Sequence, residues 1–297
     1  MTRPFPADGT ARLFQIGTRP LDLADWLAPD AAMVAQLAEK ARLRQTHPRE
    51  TFGEIEGSGA AQAELLMLLI DYLPQRHGSL WRRDGEAITI LPTGQRIAIN
   101  ASEPPLAVAA QLVQDDLLIV ERGNAAWQLT AASLSFPSSW LLSEKLGQGL
   151  DTIHDPVPGF GPGTRPAQIM ARMFDAMRPE TPMIRWNWSL YGDDRLFHPD
   201  TTGVDQPRFG TGPRAENMHM RVERQVLRKL PGTGAIAFAI RISIHPLDML
   251  LQHPEAAAIT AHLRAEIAAL GEQQLDYKGL GRDRDRVLTR LAEVVPG

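Results

Sequence analysis

The sequence predicts an α+β fold, on three observations. Apolar residues recur at helical spacing in residues 1–75 and again in 251–297. Between them, residues 85–250 carry alternating or wholly apolar runs bounded by turn residues, the pattern of antiparallel strands. The chain's 23 prolines and 24 glycines indicate many fixed loops rather than a plain helical bundle. No composition shift divides the chain, so residues 1–297 are read as one domain: helices, a sheet core, then helices.

Taken in order, Pro29 to Leu43 places Met33, Val34, Leu37 and Ala41 on one helical face, and Gly59 to Leu73 does the same with Leu65, Leu66, Leu69 and Ile70. A hairpin follows: Ala87 to Leu91, a turn at Pro92-Thr93-Gly94, then Arg96 to Ile99. Pro105 to Gln114 reads as a short helix. Leu117 to Val120 reads as a strand, Gly123-Asn124 as a turn, and Trp127 to Phe136 as the returning strand. The next block packs a tight turn at Phe136-Pro137-Ser138, a short amphipathic helix and one histidine, His154. Pro166 suits the first turn of a helix through Met177. Ile184 to Leu190 alternates, with Ile184, Trp186, Trp188 and Leu190 on one face and Arg185, Asn187 and Ser189 on the other. Thr201 to Pro213 reads as a long loop over one face. Met218 to Leu227 is a strand with Met218, Met220 and Val222 inward. Ala235 to Ile244, almost wholly apolar, suits a central strand covered on both sides. Pro254 to Leu270 and Asp283 to Val295 are helical. The expected sheet has five or six strands.

Composition narrows the function. The formal net charge is −4, with no basic or acidic block, which argues against nucleic acid or an anionic membrane as partner. No apolar run approaches the roughly 20 residues of a membrane span, and the N-terminus lacks the apolar stretch of a secretory signal; a cytoplasmic location is expected. The chain has no cysteine. It therefore cannot ligate an iron–sulfur cluster, a cysteine zinc site or a thiolate haem. It also lacks a GxGxxG fingerprint, a GxxxxGK[ST] loop, an HExxH pair and a GxSxG elbow. His245 and His253 are separated by proline-bounded segments and do not form a clamp.

Several residues remain as candidates. His154 is held between Ile153 and Asp155-Pro156-Val157-Pro158, where the prolines fix φ and remove donors. A rigid neutral imidazole suits an iron or zinc ligand; a loop histidine bonded to backbone is the commoner use of such a residue. On the run Met220 to Pro231, Arg221 or Arg224 suits carboxylate binding, and Glu223 suits a counter-charge for a cationic amine; a solvated face of cross-strand ion pairs would read the same. Trp186 suits a cofactor wall or an aromatic surface for an ammonium group, or core packing. Tyr277, in Tyr277-Lys278-Gly279 between helices, offers a phenol to a pocket or to solvent.

Those stretches, in that order, resemble the haem-dependent oxidative N-demethylase family, typified by the haem subunit of dimethylamine monooxygenase. The matching segments are RPLDLADWL (from Arg19), FPSSW with EKLG (Phe136 to Gly147), IHDPVPGF (Ile153 to Phe160), IRWNWSL (Ile184 to Leu190), RVERQVLRKLP (Arg221 to Pro231), FAIRISIHPLD (Phe238 to Asp248) and YKG (Tyr277 to Gly279). The resemblance implies a PAS-like antiparallel sheet, b-type haem with an axial histidine, and oxygen-dependent demethylation of a small secondary amine to formaldehyde and a primary amine. It places the iron ligand at His154, with His219 as second choice. It implies reductase subunits whose NADPH, FMN and [2Fe–2S] centre bring the electrons. Chemistry then assigns Glu223, Trp186 and Tyr277 to the pocket, and Arg221, Arg224 and Lys145 to the haem propionates or their support. Two positions depart from the family pattern: Val226 stands where threonine is usual, and Ile242-Ser243 where a Thr-Tyr pair is common. A PAS-like module that binds haem or another ligand without turnover is the alternative; the chain lacks the long heptad helix that would carry a signal outward.

Overall fold

The computed structural model describes residues 12–199 and 208–294. Its strands are β1 (Arg19–Pro20), β2 (Phe52–Glu54), β3 (Trp81–Arg83), β4 (Ala87–Ile90), β5 (Gln95–Ala98), β6 (Asp116–Arg122), β7 (Trp127–Ser133), β8 (Met183–Tyr191), β9 (His219–Lys229) and β10 (Ile236–Pro246). Its helices are α1 (Met33–Thr46), α2 (Pro48–Thr51), α3 (Gly59–Arg76), α4 (Pro105–Leu112), α5 (Leu142–Lys145), α6 (Leu150–Ile153), α7 (Arg165–Ala176), α8 (Ala256–Ala268), α9 (Glu272–Tyr277) and α10 (Arg284–Val294). The mixed α+β class is as expected. Among the described residues no helix is long and apolar enough to cross a membrane.

Seven strands form one antiparallel sheet in the order β1-β8-β9-β10-β6-β7-β2. That exceeds the expected five or six, because β1 and β2 are two and three residues long and too short to show a period. The predicted hairpin at residues 87–99 is present, but it pairs with β3 in a separate three-stranded sheet. Periodicity reports a strand, not the sheet it joins. The single amphipathic helix expected before His154 is two four-residue helices, α5 and α6, with Gly147 at φ 77° between them. Tyr277, expected between helices, ends one. Of the loop expected at 201–213, residues 201–207 lie outside the described residues.

Strand β10 is central, as its apolar composition required. It pairs with β9 along all eleven of its residues and with β6 through Ile236–Ile240. Because side chains alternate, the sheet has two unlike faces. On one face, Ile184, Val226, Ala237, Ala239, Leu117 and Ile119 pack against Leu65, Leu69 and Leu73 of α3 and against α4. Farther along the same face, Trp188, Leu190, Met220 and Val222 pack against Leu263 and Ile267 of α8 and Val287 and Leu291 of α10. Trp186 touches both clusters. Each fully buried leucine here stabilises the fold by about 1.5–3 kcal/mol, so the helix-covered face secures the sheet. The opposite face, with Leu118, Val120, Leu129, Leu227, Ile240 and Ile242, is covered by Phe174 and Met177 at the end of α7 and by Phe136 and Leu142. Helix α7 starts where Thr164 accepts a bond from the Ala167 amide and Pro166 sits in the first turn.

Candidate active site

Between that second face and the segment from Phe136 to Phe174 lies a cavity of about 500 Å³, within the range of small-molecule and cofactor pockets. One part is apolar: Leu118, Val120, Phe136, Phe174, Phe238 and Ile240 form its walls. The other is polar, with Arg185, Asn187, Glu223, Gln225, Tyr277 and Lys278 converging on it. Alternation along β8 and β9 produces the polar floor, since Arg185 stands opposite Gln225, and Asn187 opposite Glu223.

His154 lines the cavity at the C-terminal end of α6. Its Nδ1 lies 2.7 Å from the Leu150 carbonyl oxygen. A carbonyl only accepts, so Nδ1 carries the proton and Nε2 holds the lone pair. Among the described residues Nε2 has no hydrogen-bond partner. A backbone carbonyl gripping the far nitrogen is the arrangement that orients metal-ligating histidines. Burial lowers the histidine's pKa below the usual value, and the nearby charges of Lys145 and Arg185 push the same way. Lys145 also lines the cavity; its Nζ lies 3.4 Å from the Ile153 carbonyl oxygen and 4.8 Å from the centroid of the Trp140 ring.

Glu223 is buried on the floor. Its Oε2 accepts from Gln225 Nε2 at 2.8 Å and Asn187 Nδ2 at 3.2 Å, while Oε1 is 3.6 Å from Arg221 Nε. Burial pushes the Tyr277 hydroxyl up to about 12, helped by the charge of Glu223, so the phenol stays protonated. Its ring is half exposed because it faces the open cavity, and it meets the Phe14 ring edge-on at 5.9 Å. Burial lowers Lys278 to about 8 against the opposing pull of Glu223. Lys278 Nζ donates to the Trp188 carbonyl at 2.9 Å and lies 3.4 Å from Asn187 Oδ1.

A third group closes the floor at Tyr191. Its hydroxyl is 2.9 Å from Ser138 Oγ and 3.1 Å from Ser139 Oγ, with the Arg208 guanidinium 4.7 Å from its ring centroid. A Cβ added at the next residue, Gly192, would stand 1.8 Å from the Arg208 carbonyl oxygen. Gly192→Ala must therefore move backbone, and we expect a loss of about 1–3 kcal/mol, read as a lower Tm.

Of the residues singled out in the sequence, His154, Glu223, Tyr277 and Lys145 meet at this cavity. Four others do not line it. Trp186 is on the helix-covered face, as the alternation of β8 dictates. Arg224 is on that face too and donates to the carbonyls of Asp25 and Trp26, at 2.5 and 3.0 Å, tying the N-terminal segment to the sheet. Arg221 is wholly buried and donates to the carbonyls of Phe136 and Leu196, at 2.5 and 3.0 Å, so it props the wall without facing a ligand. His219 lies at the start of β9 with Nδ1 2.8 Å from the Asn217 carbonyl oxygen. The residues passed over are Arg185, Asn187 and Ser189, the polar face of the same strand, and Lys278. The alternation separated the two faces; only the wall opposite shows that the polar one meets a cavity rather than solvent.

The family model described as haem-dependent oxidative N-demethylase, alpha subunit-like, matches residues 17–288. The chain belongs to this family. The match runs from before β1 into α10 and so includes every cavity residue named above except Phe14. Family membership suggests haem-dependent oxidative N-demethylation. The residues present fit such a group: a neutral histidine with a free Nε2, apolar walls for a macrocycle, and the cationic side chain of Lys145 on the histidine's wall for its carboxylates.

Proposed function

We infer that this chain is the haem-binding subunit of an oxidative N-demethylase acting on a small secondary amine. His154, on the cavity wall with one nitrogen anchored and the other unpartnered, is the observation that carries the reading. A PAS-like assignment is supported by the five long strands, which, counted along the chain, lie side by side in the order 2-1-5-4-3. The family's description as alpha subunit-like supports further chains, which we assign as the reductase subunits carrying NADPH, FMN and [2Fe–2S].

His154 Nε2 would ligate the iron, with the Leu150 carbonyl fixing the ring. Lys145 lies close enough to this wall to meet a propionate. Haem b, when bound, supplies the oxygen activation that no side chain of this protein can. The chain's own residues do the rest. Glu223 attracts the ammonium form of the amine and places its N-methyl group over the apolar part of the cavity. Asn187 and Gln225 hold the Glu223 carboxylate in position. Tyr277, kept neutral, donates a hydrogen bond from its hydroxyl. The apolar walls exclude bulk water, which strengthens each of these contacts. Overall, a secondary methylamine, O2, two electrons and two protons give a primary amine, formaldehyde and water.

The test is haem titration followed by absorbance. Wild type should take up one equivalent with a nitrogen-ligated spectrum and, given reductant and a methylamine, release formaldehyde. His154→Ala should lose that spectrum and bind haem on the order of 100-fold more weakly. An unchanged axial-ligand spectrum in the variant removes His154 from the role. Haem uptake without formaldehyde from any methylamine favours the sensor alternative.

A further inference from the structure

Resting on the N-demethylase reading, the charges of the cavity floor narrow the substrate. Arg185 projects from β8 among the lining residues. Each of the other cavity cations has protein partners. Lys278 bonds to the Trp188 carbonyl, Arg208 to the carbonyls of Leu190 and Lys278, and Lys145 is near the Ile153 carbonyl. Among the described residues, Arg185 has neither a hydrogen bond nor an ion pair, and its buried Nε is unpartnered. Arginine cannot shed its charge at physiological pH, and a buried guanidinium N–H without an acceptor is costly. The shape that satisfies a guanidinium is a planar carboxylate bound through two parallel bonds.

Two carboxylates could reach it, a haem propionate or one belonging to the amine. The strand register favours the amine. Arg185 pairs with Gln225, and Asn187 with Glu223, so Arg185 and Glu223 are diagonal neighbours on one face. Diagonal neighbours stand roughly 7–8 Å apart at their Cα positions. Charges of opposite sign at that spacing, not in contact with each other, suit a ligand that carries both a cation and an anion within a few atoms. We propose that Arg185 binds a carboxylate of the substrate, which is an N-methylated amino acid: its ammonium meets Glu223 and its carboxylate meets Arg185. Lys278, tethered on the same floor, adds positive charge beside the carboxylate.

The probes are N-methylglycine and dimethylamine, which differ by that carboxylate. Calorimetric titration is run on the chain as purified and after haem loading, for wild type, Arg185→Met and Arg185→Lys. Wild type should bind N-methylglycine about tenfold or more tighter than dimethylamine, the scale of a charge-assisted bidentate contact. Arg185→Met should erase that preference and leave haem affinity unchanged; Arg185→Lys should retain part of it, since the charge stays and the fork is lost. Because Arg185 makes no hydrogen bond or ion pair among the described residues, the Tm of Arg185→Met should be equal to wild type or higher, which separates lost binding from lost folding. Equal wild-type affinity for the two amines overturns the proposal. So does a loss of haem affinity in Arg185→Met with the amine preference intact, which would assign Arg185 to a propionate. Failure to take up haem sinks the N-demethylase reading alone, because the preference is also measured without haem.

Discussion

Asp116→Ala is expected to destabilise the protein by about 3–5 kcal/mol, the cost of stripping a buried charge network of one member. Asp116 is wholly buried at the start of β6. Its two carboxylate oxygens accept from the amides of Ser135 and Phe136, at 2.8 and 2.9 Å. Those amides belong to the turn that carries Phe136, Ser138 and Ser139 into the cavity wall. Lys40, also buried, donates to the carbonyls of Val113 and Asp115, at 2.8 and 2.6 Å, and its charge offsets that of Asp116. Alanine leaves two buried amides without acceptors and Lys40 with less counter-charge. Asp116→Asn should cost less, since one oxygen remains, but its amide nitrogen then faces an amide N–H. The pH dependence has a definite sign. Burial pushes Asp116 up from 3.8 to about 6. Within that window the folded protein holds a proton that the unfolded chain has released, so this group's contribution to the unfolding free energy falls as pH rises. Chemical denaturation of wild type and Asp116→Ala across pH 4 to 7 checks both statements; a parallel pH dependence in the two proteins would remove Asp116 as its source.

Glu223→Gln is expected to weaken binding of a methylamine by about 10- to 100-fold. The glutamine oxygen still accepts from Asn187 and Gln225, so the shape of the floor survives. What disappears is the negative charge on a surface that also carries Arg185, Lys278 and, behind it, the wholly buried Arg221. Without it three cations surround the place where an ammonium must sit. A further loss of about 1–3 kcal/mol in stability follows from leaving Arg221 with two carbonyls and no carboxylate. Calorimetric titration measures the first effect and thermal unfolding the second. Unaltered amine affinity would show that the ammonium sits elsewhere. Glu223→Asp, which keeps the charge but draws it back by one methylene, should fall between the two.

The long elements were legible in the sequence because each is set by its own residues. The leucines of α3 recur every turn, β10 is apolar throughout, and Thr164 with Pro166 marks the start of α7. Strands of two or three residues leave no period to read, which hid β1 and β2. The prolines after His154 were visible in the sequence, but they act on Asp155 and Val157; what holds the histidine is its place at the end of α6 and the Leu150 carbonyl on Nδ1. Trp186 and Arg224 show where local reading ends. Their strands and their alternation were clear, yet both side chains point to the helices and away from the cavity.

The amino-acid order thus determined the class of fold, the absence of cysteine and the family motifs, since these depend on composition and on neighbours along the chain. Only the tertiary structure decided which side of the sheet faces the cavity, and with it that Arg185, Asn187 and Lys278 join Glu223 there while Arg221 props the wall. A strand's two faces are equivalent until something packs on them. Helices far away in the sequence made that choice by covering the tryptophan side.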